Sequence, residues 1–207
     1  GEQPCGVAVN PVTNKIYVVN NGGGSVTVID GATNATTTVT AGSKPQAVAV
    51  NPVTNKIYVA NYGGNVTVID GATNATTTVP ISTGPWAVAA NPVTNKIYVA
   101  NYDGGSLTVI DGATNATQEL TAGTFPYAVA VNPVTNKAYV ANQWTHNVTV
   151  IDGCANGTTE VAAGQEPMGV AVNPVTDKIY VANSAGDSVT VIDGATNDTT
   201  LLAAGDN

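Results

Sequence analysis

A unit of about forty residues repeated five times, four short β-forming runs in each unit, and strong turn signals between the runs predict an all-β protein. The architecture they fit is a five-bladed β-propeller with four antiparallel strands per blade. The segment NPVTNKIYVAN begins at Asn51 and again at Asn91, with close variants at Asn10, Asn132 and Asn173. Each unit opens on a proline (Pro4, Pro45, Pro85, Pro126 and Pro167), at spacings of 41, 40, 41 and 41 residues. The units run 4–44, 45–84, 85–125, 126–166 and 167–207, within a single domain of residues 1–207.

The first run is Val7-Ala8-Val9 and its copies, the second Ile16-Tyr17-Val18, the third Val26-Thr27-Val28-Ile29, and the fourth Thr36-Thr37-Thr38-Val39. Val, Ile, Tyr and Thr dominate them, as a half-buried pleated surface requires. Between the first two lies Asn10-Pro11-Val12-Thr13-Asn14, where Pro presets φ and Asn closes a turn. Asp30-Gly31-Ala32-Thr33-Asn34 follows the third run and supplies a glycine for a tight reversal. Gly22-Gly23-Gly24 marks the remaining turn. A lone sheet of this kind cannot bury both faces, and a closed ring gives every blade two neighbours. The first and last units look like the middle ones. The expectation is therefore a ring shut by side-chain packing between blades one and five, without a shared sheet.

Charged residues are only 10% of the chain, there is no Arg, and the net charge is −8. Such a chain repels phosphate, which argues against nucleic acid as a partner. No apolar run approaches the ~20 residues that cross a bilayer. Abundant Thr, Asn, Gly and Val with few Lys suggest an extracellular or cell-surface protein. Asn34, Asn65, Asn74, Asn115, Asn147, Asn156 and Asn197 each open an Asn-x-Thr sequon and are candidate glycosylation sites. Five of these seven copy one repeat position, where turn chemistry accounts for Asn as well.

The recurrent IYVAN followed by VTVIDGATN resembles the YVTN-type β-propeller repeat of bacterial and archaeal surface proteins, in all five units. The resemblance implies a scaffold, with relatives in surface layers and some accompanying redox or lyase functions. It carries no activity by itself.

The five units differ from one another at two places. One flanks the opening proline: Gln3 and Cys5, Lys44 and Gln46, Trp86, Phe125 and Tyr127, Glu166 and Met168. The other is the loop between the second and third runs, which includes Tyr62, Tyr102 and Trp144. In an antiparallel meander both places fall at the same end of the strands. Tyr17, Tyr58, Tyr98, Tyr139 and Tyr180 hold one repeated strand position and read as packing residues. The other six aromatics, Tyr62, Trp86, Tyr102, Phe125, Tyr127 and Trp144, all lie at the variable end, with His146, Met168 and Lys44. Rigid aromatics with a polar edge suit recognition of proteins or sugars. They would equally serve to cover the mouth of a central channel. These nine residues form the candidate partner-binding set.

No catalytic set stands out, and the expected function is non-enzymatic: binding a protein, a carbohydrate or another copy of itself, with no cofactor. A structural subunit of a surface layer or filament is the alternative, ahead of a lyase or a quinone-linked oxidation partner. His146 is the one His, too few for a multi-His metal site. Asp30, Asp70, Asp111, Asp152 and Asp193 stand one per blade, too far apart to share a calcium ion, and read as turn caps. Cys5 and Cys154 lie at opposite ends of their strands, so no disulfide is expected within the chain.

Overall fold

The computed structural model describes residues 1–205; the last two residues of the fifth repeat lie outside the described residues. Each repeat forms one four-stranded antiparallel sheet in simple meander order. Blade 1 contains β1 (Pro4–Asn10), β2 (Lys15–Asn20), β3 (Ser25–Asp30) and β4 (Thr36–Thr40). Blade 2 contains β5 (Pro45–Asn51), β6 (Lys56–Asn61), β7 (Asn65–Asp70) and β8 (Thr76–Pro80). Blade 3 contains β9 (Pro85–Asn91), β10 (Lys96–Asn101), β11 (Ser106–Asp111) and β12 (Thr117–Thr121). Blade 4 contains β13 (Pro126–Asn132), β14 (Lys137–Asn142), β15 (Asn147–Asp152) and β16 (Thr158–Ala162). Blade 5 contains β17 (Pro167–Asn173), β18 (Lys178–Asn183), β19 (Ser188–Asp193) and β20 (Thr199–Ala203).

The hydrophobic core lies between blades. One face of blade 1 (Tyr17, Val19, Val26, Val28 and Val39) packs on Ile57, Val59 and Ile69 of blade 2. The same seam recurs between each later pair of neighbours, giving four cores for five blades. Polar side chains stitch each seam. Asn10 donates its amide to Asn55 Oδ1 at 2.9 Å while its own oxygen accepts the Val12 N–H. Lys15 donates to the Gly71 carbonyl at 2.5 Å, and Lys56, Lys96 and Lys137 repeat this on Gly112, Gly153 and Gly194.

These bonds explain the uniform turns. The Asp30 carboxylate accepts from the N–H groups of Ala32 and Thr33 and from the Thr33 hydroxyl. The repeated Asp is thus a turn cap. Asn14 takes φ 54°, a conformation that Asn tolerates better than most residues. The Gly31 N–H donates to the Asn14 carbonyl at 2.8 Å, and a Cβ on Gly31 would stand 2.7 Å from that oxygen. The two turns therefore lock together only with glycine there. The one departure, Asp177, keeps the acceptor that Asn132 needs, at 2.7 Å.

One expectation is corrected. Among the described residues, blades 1 and 5 form no seam. The five sheets make an open arc, and its two outer faces lack the cover that the inner faces have. Tyr180 is 42% exposed, whereas Tyr17, Tyr58, Tyr98 and Tyr139 are fully buried, so the packing role predicted for all five holds for four. Like end units supply a matching pair of faces, but the geometry of the arc leaves the two apart.

The third seam shows matched exchange. Blade 4 carries Ala138 where the other blades carry Ile16, Ile57, Ile97 and Ile179. The same core holds Leu107 and Leu120, where blades 1, 2 and 4 carry valines. Ala138→Ile alone should overpack this seam and cost ~1–3 kcal/mol. Adding Leu107→Val and Leu120→Val should recover most of the loss. Urea unfolding of the single and triple variants reads the coupling, and additive losses would refute it.

Burial pushes the hydroxyls of Tyr58, Tyr98 and Tyr139 up to about 12, with help from the carboxylates of Asp111, Asp152 and Asp177 respectively. These protons are held more tightly in the folded than in the unfolded chain. Their contribution to stability is complete below the unfolded value of about 10 and is lost as pH rises towards the folded value. The urea midpoint should fall between those two pH values. Tyr58→Phe with Tyr98→Phe should flatten the fall, because neither hydroxyl has a hydrogen-bond partner to lose. An unchanged slope in the double variant would assign the loss elsewhere.

Candidate functional site

A local device repeated at the start of every blade builds the variable end. The residue before the opening proline is left-handed: Gln3, Lys44, Gly84, Phe125 and Glu166 have φ between 50° and 74°. The residue after the proline is a β-bulge, skipped in the pairing with the second strand. A bulge re-aims its side chain. The bulged positions are Cys5, Gln46, Trp86, Tyr127 and Met168, which are among the positions where the repeats differ.

The second contribution is the loop between the second and third strands. It packs against the connection before the next blade's proline or its own. The N–H groups of Tyr62, Tyr102 and Gln143 donate to the carbonyls of Lys44, Gly84 and Phe125. Tyr62 and Tyr102 are thereby brought alongside the bulged residues.

The six aromatics singled out in the sequence form one continuous patch across blades 2, 3 and 4. Trp86 is the hub. Its ring centroid lies 6.2 Å from Tyr62, 5.6 Å from Tyr102 and 5.5 Å from Tyr127. Tyr102 stacks on Phe125 at 4.7 Å, and Phe125 meets Trp144 edge-on at 6.2 Å. Five of the six are half-buried, and Trp144 is 63% exposed. Lys44 Nζ stands 5.9 Å from the centre of the Tyr62 ring.

His146 and Met168 sit at the same end but lie outside this ring network. His146 Nδ1 accepts the Glu166 N–H at 3.1 Å, and the Ser184 hydroxyl donates to Met168 Sδ at 3.0 Å. The first ties the blade 4 loop to the connection into blade 5, and the second lies within blade 5. Asp103 and Gln143, which the aromatic set does not include, belong to the patch. The Tyr102 hydroxyl donates to Gln143 Oε1 at 3.3 Å, and a hydrogen bond to Asp103 raises the Tyr62 hydroxyl above the usual phenol range. Their place in the same variable loops was the signal for including them.

Beside the patch runs an open groove of ≈300 Å³ whose walls include Tyr102, Asp103, Phe125, Thr145 and Glu160. A second hollow of ≈230 Å³ lies at the uniform end, against Lys96, Asp111 and Asn156. Lys96 is already engaged there by the Gly153 carbonyl and Asn156 Oδ1, so that hollow belongs to the seam. Of the sequon residues, the Asn147 amide donates to Glu160 and Asn65 Oδ1 accepts from Asn61, while Asn34 is exposed. Among the described residues, no cluster of three His, Cys, Asp or Glu is placed to hold a metal ion. Cys5 and Cys154 are free and exposed.

No protein-family model and no curated relative matches the chain. Solved structures do. The chain is similar to Kuenenia stuttgartiensis hydrazine synthase, at 20% identity and a TM-score of 0.82, over 99% of this chain and 67% of that one. It is also similar to a chain of a nidogen/laminin complex, at 14% identity and a TM-score of 0.74, over 97% of this chain and 80% of that one. These likenesses define the class: an all-β chain of propeller blades. They show the fold alone.

Phe125 is a bulky residue at φ 55°, where the preceding blade uses Gly84. Phe125→Ala removes the ring and keeps the backbone cost. Phe125→Gly removes both and should be the more stable of the two by ~1 kcal/mol. Thermal unfolding of the pair checks this, and equal midpoints would mean that the left-handed backbone relaxes.

Proposed function

We propose that this chain is a non-enzymatic binding module of the cell surface or extracellular space, engaging a partner protein through the aromatic patch. One observation carries the reading. Six aromatics drawn from three blades join into a single surface whose outer edge, Trp144, is left in water. A patch built only to pack would bury its largest ring, and partly desolvated Trp and Tyr anchors are what protein interfaces use.

The charge around the patch favours a basic partner. Five of the six lysines belong to the repeated turns at the far end, and Lys44 is the one at the variable end. The variable end carries Asp103, Glu166 and Asp187. A surface with net negative charge steers cationic partners, and an Arg or Lys of the partner can rest on the Trp144 face. The repeated IYVAN and VTVIDGATN segments support a scaffold of the YVTN type. The nidogen/laminin neighbour supports a protein as the partner class.

Peptides selected from a random display library on the native chain should be rich in Arg, Lys and aromatics. Their affinity should fall at least ~10-fold on Trp144→Ala, a hot-spot loss of ~1.4 kcal/mol or more. The unfolding midpoint of that variant should stay at its native value, because Trp144 is on the rim. Peptides that bind the variant as well as the native chain would overturn the assignment.

A further inference from the structure

We infer that the open end of the arc is an assembly surface: blade 5 of one molecule receives blade 1 of a second copy of this chain, head to tail. The inference rests on a seam that the molecule already makes with itself four times. In every seam the Tyr-bearing face of one blade meets the Ile-bearing face of the next. Blade 5 presents an unused Tyr face and blade 1 an unused Ile face.

The exposures agree. Tyr180 and Leu202 on blade 5 are 42% and 48% exposed, where their counterparts Tyr139 and Val161 are buried. An open groove of ≈360 Å³ runs along this face beside Tyr180 and Val189. On blade 1, Val7 and Val9 are 65% and 55% exposed, where Val48 and Val50 pack on the neighbouring core.

The polar stitches are the independent sign. Four lysines reach across to a glycine carbonyl of the next blade. Among the described residues Lys178 meets no such carbonyl, and it donates to its own Asp193 at 2.6 Å. Asn10, Asn51, Asn91 and Asn132 each bond the Asn or Asp of the next blade's turn. Among the described residues, Asn173 only caps its own turn. The matching acceptors, the Gly31 carbonyl and Asn14 Oδ1, stand on blade 1. A second copy therefore supplies the apolar surface, the carbonyl and the amide acceptor in the register that the four internal seams use.

The contact joins two different faces, so it is heterologous and either closes a ring or continues. Light scattering coupled to size exclusion should show mass rising with concentration above one chain. Tyr180→Asp and Val9→Asp, each on an exposed position of one outer face, should each be monomeric. Mixed together they should form a dimer and nothing larger, because each retains one intact face. Trp144→Ala should assemble like the native chain, which separates this surface from the aromatic patch. A native chain that stays monomeric over about a hundredfold rise in concentration would overturn the inference, because mass action must reveal any specific contact. So would assembly that persists in both Asp variants.

Discussion

The structure depends on one constraint: no blade of this protein has a core of its own. A four-stranded sheet of short strands has two apolar faces, and each must find a sheet outside its own hydrogen-bonded unit. The Tyr face of one blade and the Ile face of the next solve this for each other. The solution fixes the identity of the strand residues and the nearly invariant turns, because the turns carry the Asn and Lys that bridge the seam. Uniformity at one end of the strands is thus the signature of packing.

The other end is free to vary because its loops are anchored within each blade by backbone hydrogen bonds. Tyr62, Tyr102 and Gln143 use their N–H groups in the same way although their side chains differ. The bulge after each proline points a residue of any type away from the ladder. Trp86 and Tyr127 occupy bulges while Gln46 and Met168 occupy the equivalent positions elsewhere. A scaffold of this kind separates the residues that hold the fold from those that can be changed for recognition.

Much of this was legible in the sequence. The period, the four strands per unit and the Asp turn caps follow from composition and turn chemistry, and strand alternation put the six aromatics at one end. The ring contacts of Trp86 were not legible, because the bulge that aims it has no residue signature beyond the proline. Nor was the open arc. Whether blade 1 reaches blade 5 depends on the angle between successive sheets, which arises only when the seams pack. Repeat number alone does not contain it. Tyr180 looks the same in sequence as Tyr139 and differs only in having nothing in front of it.

The near-identity of the blades has a consequence for how the chain acquires its shape. During folding, the Ile face of blade 3 is as good a mate for blade 1 as for blade 2, since Ile97, Val99 and Ile110 are the same set that blade 2 offers. Only the shortness of the connections between units keeps adjacent blades together first. The departures from the repeat in the third seam, Leu107, Leu120 and Ala138, then act as an address. They let two particular sheets recognise each other among five that otherwise look interchangeable, and so reduce the kinetic traps to which repeat proteins are prone.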